Sequence, residues 1–101
     1  MLDVTGVKVT PIRGEGASRA MASVTFDDSF VVHGVRVVEG EKGLFVAMPR
    51  QRDAEGNFRD IAHPVTAEAR AVVASKVLEE YQRAMERGER PRSVQSRSRG
   101  D

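Results

Sequence analysis

The sequence predicts an α+β fold: a small antiparallel β-sheet of four to five strands followed by one C-terminal amphipathic helix. Three observations carry this expectation. Residues 3–48 contain successive stretches in which valines and other apolar residues alternate with polar ones, separated by Gly- and Asp-rich breaks. Residues 67–87 place apolar residues every four positions, the period of a helix with one buried face. Between them, an apolar run is stopped by Pro49 and gives way to arginines around a turn.

In the first stretch, residues 3–12, Val7 and Val9 fall on one side and Lys8 and Thr10 on the other, with Pro11 marking an edge or a strand end. Gly14-Glu15-Gly16 reads as a turn, and the alternation resumes from Arg19 to Phe26, so the two strands are expected to form a hairpin. Asp27-Asp28-Ser29 breaks the pattern. Phe30 to Glu39 is the most strand-like segment of the chain, interrupted by Gly34, where a bulge is expected because glycine inside a strand marks a bend or a close backbone approach. Gly40 to Gly43 turns into a fourth strand, Leu44 to Met48, and a short fifth strand is expected to end at Pro64. Thr66 is placed to cap the helix and Glu68 lies in its first turn, where the helix dipole favours an acid. Its stripe is Ala69, Val73, Val77, Tyr81 and Met85, broadened by Val72, Leu78 and Ala84, and Gly88 closes it. Residues 1–88 are thus expected to form one domain, and residues 89–101, Arg- and Ser-rich with a single valine, a disordered tail.

Composition narrows the function classes. The chain has 101 residues, 40% of them apolar, enough for one modest core that dimerisation would supplement. It has no cysteine, which removes disulfides, thiolate nucleophiles and cysteine-based metal sites, and suits a reducing cytoplasm. The start carries an acid at position 3 and no apolar core of the kind a signal peptide needs, and no apolar run approaches the ~18 residues of a membrane span. A cytoplasmic protein without membrane association is expected. The net charge of +1 is unevenly spread: residues 1–49 hold five basic and six acidic side chains, residues 50–101 eleven and nine, and Arg90 to Arg99 contains four arginines and no acid.

Arg50, Arg52 and Arg59 surround the turn Asp53-Ala54-Glu55-Gly56-Asn57. Guanidinium groups fork onto phosphate oxygens or guanine edges, and on an extended backbone Arg50 and Arg52 would point the same way, toward successive phosphates. Pairing with Asp53, Glu55 or Asp60 as ordinary surface ion pairs is the competing reading, and spacing leaves both open. On the helix, Lys76, Arg83, Arg87 and Arg90 share one face, Arg90 lying past the expected end, while Glu79 stands four residues before Arg83; a groove-binding face and a solvated face are both open. His33 and His63, the two histidines, sit in no ligand cluster and are expected to be structural, each bonded to backbone. No phosphate-binding glycine loop and no enclosed carboxylate pair is present, so no catalytic residue, cofactor, metal or small-molecule substrate is expected.

Gly43-Leu-Phe-Val-Ala-Met-Pro49, a basic loop with a turn glycine, and Phe58-Arg-Asp-Ile-Ala-His-Pro64 resemble the bacterial SpoVG (stage V sporulation protein G) septation family. The resemblance extends upstream through residues 4–9 and 21–40 and covers roughly residues 1–82. It implies a dimeric, cytoplasmic, nucleoid-associated regulator that binds DNA and, in some members, RNA. It also implies roles in septum formation, in sporulation and in gene expression, and no enzymatic activity. The residues it points to are those after the Met-Pro pair, Arg50 to Arg52, so that Arg50, Gln51, Arg52 and Arg59 are the first candidate nucleic-acid contacts and Lys76 and Arg83 secondary ones. Gln51 stands within Arg50-Gln51-Arg52 where relatives commonly have Ser-Lys-Arg, Ala54-Glu55-Gly56 replaces their Pro-Asp-Gly turn, and the Arg/Ser-rich end replaces an acidic one. The sheet's edges would supply the homodimer contact. The competing expectation is a protein-interaction adaptor in cell division, its loop meeting an acidic partner and its nucleic-acid binding incidental.

Overall fold

The computed structural model describes residues 3–13, 16–88 and 92–93. Four antiparallel strands, β1 (Val4–Arg13), β2 (Ser18–Phe26), β3 (Phe30–Gly40) and β4 (Gly43–Ala47), form a meander in which each strand pairs with its sequence neighbour. A separate two-stranded ribbon follows, β5 (Arg50–Arg52) with β6 (Phe58–Asp60), and then one helix, α1 (Ala67–Glu86). The fold is α+β, as the alternating segments predict. A two-residue strand, β7 (Arg92–Ser93), lies parallel to the Ile12–Arg13 end of β1. The remainder of the tail expected from residue 89 lies outside the described residues, as do Gly14 and Glu15 of the first expected turn.

The alternation works because one sheet face is covered and the other is not. Val9, Ala20, Ala22, Val24, Val35 and Val37 point to the helix side and are buried, and Val73 and Val77 of α1 close over them. Nearly all the buried side chains are valine or alanine, so the layers approach closely with little aromatic filling. Ala84 is also buried, and Leu78 and Tyr81 pack at the margin, whereas Val72 and Met85 of the expected stripe are exposed. Val72 borders, with Val73, an apolar pocket lined by Val4, Phe26, Phe30 and Val32 of the first three strands. Thr66 Oγ1 accepts from the Ala69 amide at 3.0 Å and caps the helix as its position predicts.

Two irregularities matter for the site. The β2–β3 connection is a turn with Asp27 and Asp28 at φ of 53° and 52°, a left-handed geometry that aspartate tolerates, and its amides are tied to Asp3 and Thr5 of the N-terminal segment. On β3, Ala22 faces Val35 while Val24 faces Val32, so His33 and Gly34 together oppose Ser23. This is the expected bulge. Gly34 has φ +85°, and a Cβ there would stand 3.2 Å from Pro49 Cβ. The missing side chain lets Pro49, the residue that starts the cationic segment, rest on the bulge.

Candidate functional site

Pro49 ends the sheet and the next residues turn into strand. Arg50 pairs with Asp60, Gln51 with Arg59 and Arg52 with Phe58, and the Ile61 amide bonds Pro49 O at 2.8 Å. The expected cationic loop is therefore half of a ribbon, and its return strand ends at Asp60 rather than at Pro64. The turn between them explains why. Asp53 Oδ1 accepts from the amides of Glu55 and Asn57, both at 2.9 Å, and the Asp53 amide donates to Asn57 O at 2.8 Å. Gly56, at φ +88°, supplies the left-handed residue the turn needs. These local bonds close the ribbon whatever the strand propensity of arginine.

Strand alternation then sorts the candidate residues onto two sides. Arg50, Arg52, Phe58 and Asp60 share one face, and Gln51 and Arg59 the other. Both guanidinium groups of the first face lean on Phe58, with Arg50 Cζ 5.2 Å and Arg52 Cζ 5.1 Å from the ring centroid. Neither arginine has an ion pair among the described residues, although Asp60 stands directly across from Arg50. Stacking of this kind contributes ~0.5–1 kcal/mol at an exposed site and holds the cations in place without neutralising them.

Arg59 behaves differently. Its Nε donates to Asp53 Oδ2 at 2.9 Å, so it takes the ion-pair reading that spacing left open. The Arg59 bond, ahead of the amides of Asn57, Glu55 and Gly56, holds the Asp53 carboxyl below the usual carboxylate range. Arg59 is a fastener of the turn, on the face away from Arg50 and Arg52.

The helical candidates lie elsewhere. Lys76 and Arg83 border a cleft against Val4 to Val7 of β1, at the far edge of the sheet from β4 and the ribbon. Three strand spacings of ~4.8 Å separate those edges. Arg83 is held by Glu80 at 3.5 Å and Glu79 at 3.9 Å, and Arg87 by Glu80 at 3.1 Å, so this face carries its own counter-charges. Lys76 is exposed and has no ion pair among the described residues. Arg90 lies outside them. The six candidates do not form one surface.

A groove of about 360 Å³ runs around the outer edge of β4 and brings Arg36 and Arg70 to the same place as Arg50. The sequence pattern singles out neither of the first two. Arg36 is the polar alternate on β3, opposite Ala47, and Arg70 is one residue past Ala69 of the apolar stripe, and nothing in linear spacing connects them. The histidines are structural contacts, but His33 Nδ1 meets Ser23 Oγ at 2.9 Å rather than the backbone expected for it, while His63 Nδ1 donates to Pro64 O at 3.1 Å. Among the described residues no three His, Asp or Glu side chains gather as a metal site, and no helix is long and apolar enough to cross a membrane.

The family model for SpoVG matches residues 2–83, which takes in the sheet, the ribbon and nearly all of the helix. The chain belongs to the SpoVG family. A Heliobacterium modesticaldum relative named as septation protein SpoVG is 54% identical over 84 residues, covering 83% of this chain and 94% of its own. A Phytoplasma australiense relative of the same name is 51% identical over 81 residues, 80% of this chain and 84% of its own. One from Caldicellulosiruptor bescii is 46% identical over 88 residues, 87% of this chain and all of its own. In this SpoVG chain the motif residues 43–49 and 58–64 form β4, the proline on the bulge, the return strand and the lead into the helix.

Proposed function

We propose that this SpoVG-family protein is a dimeric regulator that binds DNA and RNA, contributes to septation and sporulation, and influences gene expression. The observation that carries the reading is the pair Arg50 and Arg52, side by side on one ribbon face, braced by Phe58 and left without carboxylate partners among the described residues. Two fixed, unneutralised guanidinium groups are what a phosphate backbone requires. The names of the relatives support the septation role.

Dimerisation uses a strand edge. β4 is short, whereas β1 offers ten residues whose outer side is paired, among the described residues, only at Ile12 and Arg13. A long valine-containing edge is the one that needs covering, so β1 is the dimer edge. Joining two copies there would place two cationic ribbons at the outer ends of one continuous sheet.

The test is binding of labelled DNA and RNA across a salt series, for the wild type and for Arg50→Ala/Arg52→Ala. Removing one phosphate-bound cation should lower the slope of log affinity against log salt by about one, so the double variant should show a slope smaller by about one to two units. An unchanged slope and affinity would remove the ribbon as the contact. A second reading, an adaptor in cell division, has support in the apolar pocket of about 230 Å³ between Phe26, Phe30, Met48 and Val73, and would be favoured by no nucleic-acid binding even at low salt.

A further inference from the structure

The groove around β4 has a composition that the ribbon alone does not. Arg36, Arg50 and Arg70 reach it, against one acid, Asp60. Arg36 Nη1 donates to Ser18 Oγ at 3.2 Å and Arg70 Nη2 to Pro64 O at 3.3 Å, both neutral acceptors that position the guanidinium group and leave its charge uncompensated. None of the three has an ion pair among the described residues. The groove's wall includes Phe45, on the sheet face opposite the helix and 50% exposed, next to Val38 across the strand pair. At its floor runs the outer edge of β4, the last strand of the sheet, whose outward amides and carbonyls have no strand beside them among the described residues.

Cations, a half-exposed aromatic ring and open backbone donors and acceptors meet here in one place. A duplex could satisfy only the cations, because its base faces are occupied by its own stack and their pairing edges by each other. An unpaired strand presents all three complements: phosphates, a free base face and free base edges. Resting on the nucleic-acid reading above, we propose that the β4 groove seats single-stranded nucleic acid. Phe45 stacks on one base, Arg36, Arg50 and Arg70 hold flanking phosphates, and the edge of β4 bonds a base edge. Duplex meets cations alone, Arg50 and Arg52 of the ribbon first among them, and gains nothing from Phe45 or the strand edge.

The chain contains no tryptophan, so Phe45→Trp provides a reporter without background indole fluorescence. Full-length Phe45→Trp should bind a single-stranded oligonucleotide, RNA or DNA, with quenching of its emission, and should show little quenching with the matching duplex. Phe45→Ala should weaken single-strand binding roughly 5- to 150-fold and leave duplex binding within a factor of two, and Arg70→Gln should lower the single-strand salt slope by about one. RNA and DNA arms of the same sequence identify the preferred strand. Equal quenching by duplex, or equal losses for both forms in Phe45→Ala, would overturn the groove assignment while leaving the ribbon reading intact. No binding of any nucleic acid by the wild type would overturn both. Melting curves show whether Phe45→Ala remains folded, and retained single-strand binding by a folded variant counts against the proposal.

Discussion

Arg59 and Asp53, six residues apart, close the turn of the ribbon with a 2.9 Å bond from Nε to Oδ2. That bond divides the arginines of the segment: one secures the turn and two remain available on the opposite face. Single alanine substitutions should therefore separate. Arg50→Ala and Arg52→Ala each reduce the salt dependence of nucleic-acid binding by about one unit, whereas Arg59→Ala leaves that slope nearly unchanged and weakens binding only through a looser ribbon. Filter binding at four or five salt concentrations distinguishes them, and a drop of a full unit on Arg59→Ala would reassign that residue to the contact.

The same pair gives the ribbon a pH dependence. The carboxyl of Asp53 titrates lower when folded than when unfolded, so the ionised form favours the closed turn. Its contribution is complete above the ordinary carboxylate range and is lost as pH falls through the depressed folded value. Amide resonances of Gly56 and Asn57, followed by NMR from neutral pH into acid, should shift with that titration. In Asp53→Asn the acid-dependent step should disappear, and its persistence would place the titrating group elsewhere.

Gly34→Ala tests the bulge. The substitution puts a side chain at φ +85° and against Pro49 Cβ at 3.2 Å, so strain and contact act together. A loss of about 1–3 kcal/mol in urea unfolding is expected, along with faster amide exchange at Ile61, which bonds Pro49 O. A neutral outcome would mean that the ribbon does not depend on the bulge for its placement.

In the core, Val77 is fully buried between helix and sheet. Val77→Ala removes two methyl groups and leaves a cavity, which should cost about 2–3 kcal/mol and lower Tm by roughly 10–20 °C in a domain of this size. Val72→Ala, on the exposed flank of the same helix, should cost less than about 1 kcal/mol. Equal effects would contradict the difference in burial between the two positions.

Loss of the cap should be intermediate. Thr66→Ala leaves the Ala69 amide without its acceptor and should destabilise by about 1 kcal/mol, read by thermal melting, while Thr66→Ser should restore nearly all of it.

Much of this was legible along the chain because its causes are local. Period-two valines define β1 to β3, Pro64-Val65-Thr66 opens the helix, and Gly34 signals the bulge, since each depends on the conformational preferences of a few neighbouring residues. The ribbon was half legible. Its turn residues stood out, but Arg50 and Arg52 carry no strand pattern, and pairing is imposed by the hydrogen bonds of Asp53 and by Pro49 resting on Gly34.

By itself the sequence determined the α+β class, the order of elements, the helix cap, and family membership through residues 43–49 and 58–64. The tertiary structure decided which cations act together. It paired Arg59 with an acid, set Lys76 and Arg83 at the opposite sheet edge, and gathered Arg36, Phe45, Arg50 and Arg70 around β4. The reason is physical: charge acts over a few ångströms of space, and strand alternation, sheet order and helix placement, rather than sequence distance, set which side chains come within that reach.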